Sequence, residues 1–189
     1  MNRSIIFRVT FIVLLALYPF IIYFGLRTLP PSFFGLLLAV LLLLRFGIIM
    51  PEERSTILPV GIILLGYAIA SALIGSIQML LYYPVLVNAI MLALFAGSLR
   101  TKEALLLRIV RARGVKISVY GPTYLTRLTA VWAGFFVING MIALWTTTAS
   151  MEVWTIYNGM ISYLLVATLM LCEWLFRRRY KRRLGVSSE

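Results

Sequence analysis

Between Arg54 and Arg100 the chain runs 45 residues without a charged side chain, with Gly75-Ser76 near the middle. A helix needs roughly 20 residues to cross a hydrocarbon core of about 30 Å, so this stretch reads as a transmembrane hairpin. Backbone groups in lipid have no water to pair with, so segments of this kind must be helices. The expected fold is therefore an all-α integral membrane protein.

Composition agrees, with 62% hydrophobic residues and a mean hydropathy of +0.98. The formal charge of +12 could point to nucleic acid, but the cations are not spread as a binding face. They gather at the N-terminus, between Arg100 and Arg127, and from Arg177 to Arg183. Clusters beside apolar runs are the positive-inside signal and attract anionic lipid; no nucleic-acid partner is expected.

The chain has no His and no Asp, and one cysteine, Cys172, inside an apolar run. A Ser-His-Asp or Cys-His triad cannot be assembled from it, nor an imidazole and thiolate zinc site. No catalytic residue, cofactor or metal is assigned. Cys172 is expected to be a small packing residue.

Six apolar runs can be drawn, over about 5–25, 33–50, 57–76, 77–99, 128–148 and 153–176. The first follows Arg3 and Arg8 but lacks a small-x-small cleavage site, and so reads as a retained anchor. The second is short and carries Arg45 near its end. Charge parity decides in its favour, because six spans put all three basic clusters on one side, with both termini cytoplasmic. Seventeen of the 18 Lys and Arg residues then face the cytoplasm, Arg27 being outside. Arg45 is expected to snorkel towards Glu52, Glu53 and Arg54. Residues 1–176 form one polytopic domain and 177–189 a basic tail.

The segment 100–127 opens with an amphipathic stretch. Leu105, Leu106, Ile109 and Val110 oppose Lys102, Arg108, Arg111 and Arg113, as in a basic helix lying in the membrane interface. Gly114 is placed to end it. The four cations form either a connector pinned to anionic headgroups or a docking surface for a soluble partner.

Polar side chains within spans require protein partners or a wet cavity. Asn88 lies in the fourth run, Trp132 and Asn139 in the fifth, and Trp154, Tyr157 and Asn158 in the sixth. They are either interhelical contacts or the lining of a cavity for a lipid or polyene tail. Arg127 and Glu173 come to similar depth if the last two spans are antiparallel, and are expected to pair. Pro84 should kink the fourth span. The spacing of Gly66, Ala70, Ser71 and Gly75 predicts close helix packing on the third.

The segments Ala93-Leu-Phe-Ala-Gly97, Trp132-Ala-Gly-Phe-Phe136 with Gly140, and Trp154 resemble the septation protein A family of bacterial inner-membrane proteins. Tyr83-Pro-Val-Leu-Val-Asn88, Tyr124-Leu-Thr-Arg127 and Trp154-Thr-Ile-Tyr-Asn-Gly159 are more similar to a family of membrane proteins encoded with fatty-acid-like or aryl polyene synthesis genes. The resemblance implies a bacterial inner-membrane location and a partner role beside acyl-carrier or other biosynthetic enzymes. The function expected is a non-enzymatic scaffold or lipid-handling accessory in acyl or polyene lipid or cell-envelope assembly. The alternative is a small transporter or flippase acting as a homo-oligomer; an intramembrane transferase using Glu173 and Arg127 is a third class.

Overall fold

The computed structural model describes residues 17–46, 54–112, 114 and 121–183, with side chains over 17–43, 58–112, 114 and 121–177. The start of the first apolar run, Glu52, Glu53, Arg113 and the end of the tail lie outside the described residues. So do the side chains of Arg45 and Arg54.

Every described element is helical. Residues 17–25 form α1. Then come α2 (Pro31–Phe46), α3 (Arg54–Ile74), α4 (Ile77–Ser98), α5 (Leu105–Ala112) and α6 (Gly121–Thr146). The last described elements are α7 (Met151–Ile156), a π-helical turn (Tyr157–Ile161) and α8 (Ser162–Arg183). Among the described residues, three helices are long and apolar enough to cross a membrane: α4, α6 and the run Met151–Arg177. Two shorter apolar helices cover Pro31–Leu43 and Leu58–Ile74.

The turn between α3 and α4 falls at Gly75, whose φ of 65° needs a residue without a Cβ. The Gly75 N–H closes α3 by donating to the Ser71 carbonyl at 3.0 Å. The start of α6 lies seven residues before the expected run, because Gly121-Pro122 opens the helix. Proline at a helix start forfeits only an N–H that would be unpaired anyway.

The two arms of the α3–α4 hairpin are not each other's main packing partners. Helix α3 lies chiefly along the preceding α2, and α4 along α6. A Cβ on Gly35 of α2 would stand 2.4 Å from the Ala72 backbone nitrogen, so glycine alone permits that approach. Close packing on α3 therefore runs through Ser71 and Ala72. The expectation for Gly66 is corrected, since it is exposed and an added Cβ there meets nothing within 4 Å. Tyr18 and Ile22 of α1, Phe34 and Leu38 of α2, Ala68 of α3, Leu80 of α4 and Trp154 of α7 share one core.

Large apolar side chains cover the outside. Leu73 is 83% exposed, Phe176 66% and Trp145 62%. A soluble monomer rarely shows apolar patches of this extent, whereas in lipid they are solvated by acyl chains. Cys172 is likewise exposed on α8, which corrects its expected packing role.

Helix α5 departs from the expected geometry in its partner. Its Leu105 N–H donates to Ser98 Oγ at 2.9 Å, so the end of α4 caps α5 across seven residues. Ala104, Leu105 and Leu107 are buried, and the helix packs on α6. Leu106, Ile109 and Val110 are half-buried. The buried arc is thus turned towards Leu107, and protein covers it. Gly114, at φ 67°, follows the helix as expected.

Candidate functional site: a closed polar network between three helices

Pro84 has no N–H, so the carbonyl of Leu80 loses its helical donor, and the ring loosens the preceding turn. In that turn the Leu81 carbonyl accepts the Trp154 indole N–H at 3.0 Å. One turn after the proline, Asn88 Nδ2 donates to the Pro84 carbonyl at 2.8 Å. That bond fixes the amide so that its oxygen faces α6.

Asn139 takes the central place. Its Nδ2 donates to Asn88 Oδ1 at 2.9 Å and to Ser162 Oγ at 3.1 Å. Its Oδ1 accepts the Tyr157 hydroxyl at 2.8 Å. An amide has two donor hydrogens and an acceptor oxygen, and here each is engaged. Gly140 makes the approach possible, since a Cβ there would lie 3.1 Å from Asn88 Cβ.

A second set adjoins the first. Asn158 Nδ2 donates to Thr146 Oγ1 at 3.1 Å and to the Trp154 carbonyl at 2.9 Å. Trp154, Thr155, Tyr157 and Asn158 are all buried. An ordinary helix spreads five consecutive residues over more than one full turn. The wider π turn over Tyr157–Ile161 helps to point both Tyr157 and Asn158 inward; π turns of this kind recur at functional positions. Gly159 within it lets Phe20 of α1 approach, its ring 2.5 Å from where a Cβ would stand.

Of the six residues singled out from sequence, Asn88, Asn139 and Tyr157 meet in one network, and Trp154 with Asn158 forms the adjoining set. Trp132 does not join them. It sits in an aromatic cluster with Phe95, Phe135 and Phe136, at ring separations of 6.3, 5.7 and 5.8 Å. Ser162, one of the polar residues of the sixth run, completes the first set, and Thr146 and the Leu81 carbonyl complete the second; none of the three was assigned to the site. Ser162 had a sequence signal, lying one helical turn after Asn158; a backbone carbonyl has none.

The expected pair of Arg127 and Glu173 does not form. Among the described residues the ion pair is Arg111 with Glu103. Arg127 is exposed on α6. Of the four interface cations, Arg111 pairs with Glu103 and Arg108 donates to Thr101 Oγ1 and the Glu103 carbonyl, both at 3.4 Å. Lys102 is exposed, and Arg113 lies outside the described residues.

No protein-family model, curated protein or solved structure matches the chain. The short motifs between Tyr83 and Gly159 therefore bear on function only as a proposal.

Chemically, the two amide sets hold helices together. They contain no carboxylate and no imidazole, and their bonds are directed at protein groups.

Proposed function

We propose that this chain is a six-span bacterial inner-membrane protein with both termini in the cytoplasm, acting without chemistry of its own. In this reading it holds acyl-carrier or other biosynthetic enzymes of acyl or polyene lipid or cell-envelope assembly at the membrane. The observation that carries the reading is the commitment of both Asn139 donor hydrogens and its oxygen to protein, through Asn88, Ser162 and Tyr157. An amide committed to three protein partners joins helices and has no donor hydrogen left for a ligand headgroup. The scaffold role is thereby favoured over a lipid shelter among the last three spans. The motifs at Tyr83–Asn88 and Trp154–Gly159 support the choice of pathway.

The test is fractionation. Removing the protein from cells should release acyl-carrier synthesis enzymes from the membrane fraction, and restoring it should return them. Enzymes that stay membrane-bound without it would overturn the scaffold role.

A transporter or flippase is the second reading. It is favoured by two helix irregularities in contact, the proline turn of α4 and the Trp154 to π-turn stretch of the last helix, joined by the Trp154–Leu81 bond. Broken helices of this sort line transport sites. Gradient-dependent movement of a lipophilic product in proteoliposomes would establish it, and movement indifferent to the gradient and to the protein would remove it.

A further inference from the structure

Helix α5 carries its cations in a fixed place. Ser98 Oγ caps its first turn from the end of α4, and Leu105 and Leu107 are buried beneath it. Exposed Arg108 and Arg111 therefore lie about one and two turns along a helix whose start is pinned to the end of α4. Each already contacts an oxygen. Arg111 pairs with the Glu103 carboxylate, and Arg108 reaches Thr101 Oγ1 and the Glu103 carbonyl at 3.4 Å, the limit of a hydrogen bond. The Arg111–Glu103 pair is open to solvent, with side chains 50% and 36% exposed. Exposed pairs of this kind contribute little and exchange readily.

We infer that Arg108 and Arg111, with Lys102 beside them, form a binding site for the phosphate of an anionic phospholipid headgroup, and that Glu103 is its built-in competitor. Guanidinium groups suit phosphate because their planar N–H fork matches its oxygens. The Glu103 carboxylate holds Arg111 as a phosphate oxygen would, so lipid entry exchanges one anion for another. The headgroup is the source favoured, because capping by Ser98 pins the start of their helix to the end of a span. The inference rests on the proposed placement of segment 100–127 at the cytoplasmic face.

The sharp consequence concerns Glu103. A general attraction of cations to the membrane would respond to any change of charge, at Arg27 as much as at Glu103. A competed site responds to Glu103 and to the two arginines, in opposite directions, is unmoved by remote Arg27, and distinguishes arginine from lysine at position 108. The experiment is native mass spectrometry of the full chain in detergent, titrated with phosphatidylglycerol or phosphatidylcholine. Phosphatidylglycerol should be retained preferentially. Arg108→Gln and Arg111→Gln should each weaken its retention about fivefold, the effect of one interfacial cation. Glu103→Gln should strengthen it by about the same factor, and Arg27→Gln at the opposite end should leave it unchanged. Arg108→Lys, which keeps the charge without the fork, should fall between wild type and Arg108→Gln.

Equal retention of the two lipids, or Glu103→Gln retention no higher than wild type, would overturn the site. Inorganic phosphate bound without lipid, with the same pattern across the variants, would assign the site to a free anion and overturn the headgroup assignment. Orientation is read separately, from Lys102→Cys and an impermeant maleimide. Labelling in intact cells would overturn the cytoplasmic placement itself, whereas protection with a failed lipid titration would overturn this inference alone.

Discussion

Asn139 and Asn88 look alike in sequence, each an amide inside an apolar run, but they should not cost the same to lose. Asn139 makes three side-chain bonds to other helices, and Asn88 makes one besides its local bond to Pro84. Such bonds contribute about 0.6 kcal/mol each in membrane proteins. Asn139→Leu should therefore destabilise the fold by about 2 kcal/mol and Asn88→Leu by less than half as much. Unfolding titrations in mixed micelles measure both, and equal costs would show that the network acts as one unit. The glycines are ordered the same way. Gly35→Ala should be the most damaging, because the added carbon meets backbone at 2.4 Å. Gly140→Ala should cost about 1 kcal/mol, since Asn88 must shift by only a few tenths of an ångström. Gly66→Ala meets open space and should be neutral or stabilising, as alanine is the better helix former.

At the scale of elements, the π turn is the feature that departs most from regular periodicity. Deleting Met160 would close it to an ordinary helix and leave α8 on nearly the same face, since a π turn absorbs about one extra residue. Tyr157 and Asn158 would then no longer both point inward. Helicity by circular dichroism should stay the same while stability falls by about 1 kcal/mol, the size of a lost buried hydrogen bond. A deletion without effect on stability would mean that the extra residue does not set where Tyr157 and Asn158 point. Helix α5 makes a contrasting case, because its apolar residues were legible but their partner was not. An amphipathic stretch faces whatever apolar surface is nearest, and capping by Ser98 brings α6 nearer than the lipid.

For the whole molecule the decisive measurement is topology. Under six spans, Thr28→Cys and Thr147→Cys should react with an impermeant maleimide on intact cells. Ser118→Cys and Ser187→Cys, at positions outside the described residues, should react only after the membrane is opened. Placing the cations of segment 100–127 on the outer face would oppose the membrane potential by about 2.3 kcal/mol per charge per 100 mV. Labelling of Ser118→Cys in intact cells would remove the parity argument and the second span with it.

The sequence by itself pointed to lipid as the solvent of this protein, because apolar runs of about 20 residues match the thickness of a bilayer core. It also placed the α3–α4 turn at Gly75 and marked Asn88, Asn139, Tyr157 and Asn158 as groups needing partners. Which helices those partners came from was decided only by the tertiary structure. In lipid, apolar surface is satisfied equally by acyl chains and by another helix, so hydropathy cannot choose between neighbours. Short-range fit chose instead: Gly35 admits Ala72 and draws α2 onto α3, and Gly140 admits Asn88 and draws α4 onto α6. The failure of Arg127 to reach Glu173, and the turning of Trp132 into its aromatic cluster, follow from the same rule, since matched depth and a shared helix face do not bring two side chains into contact.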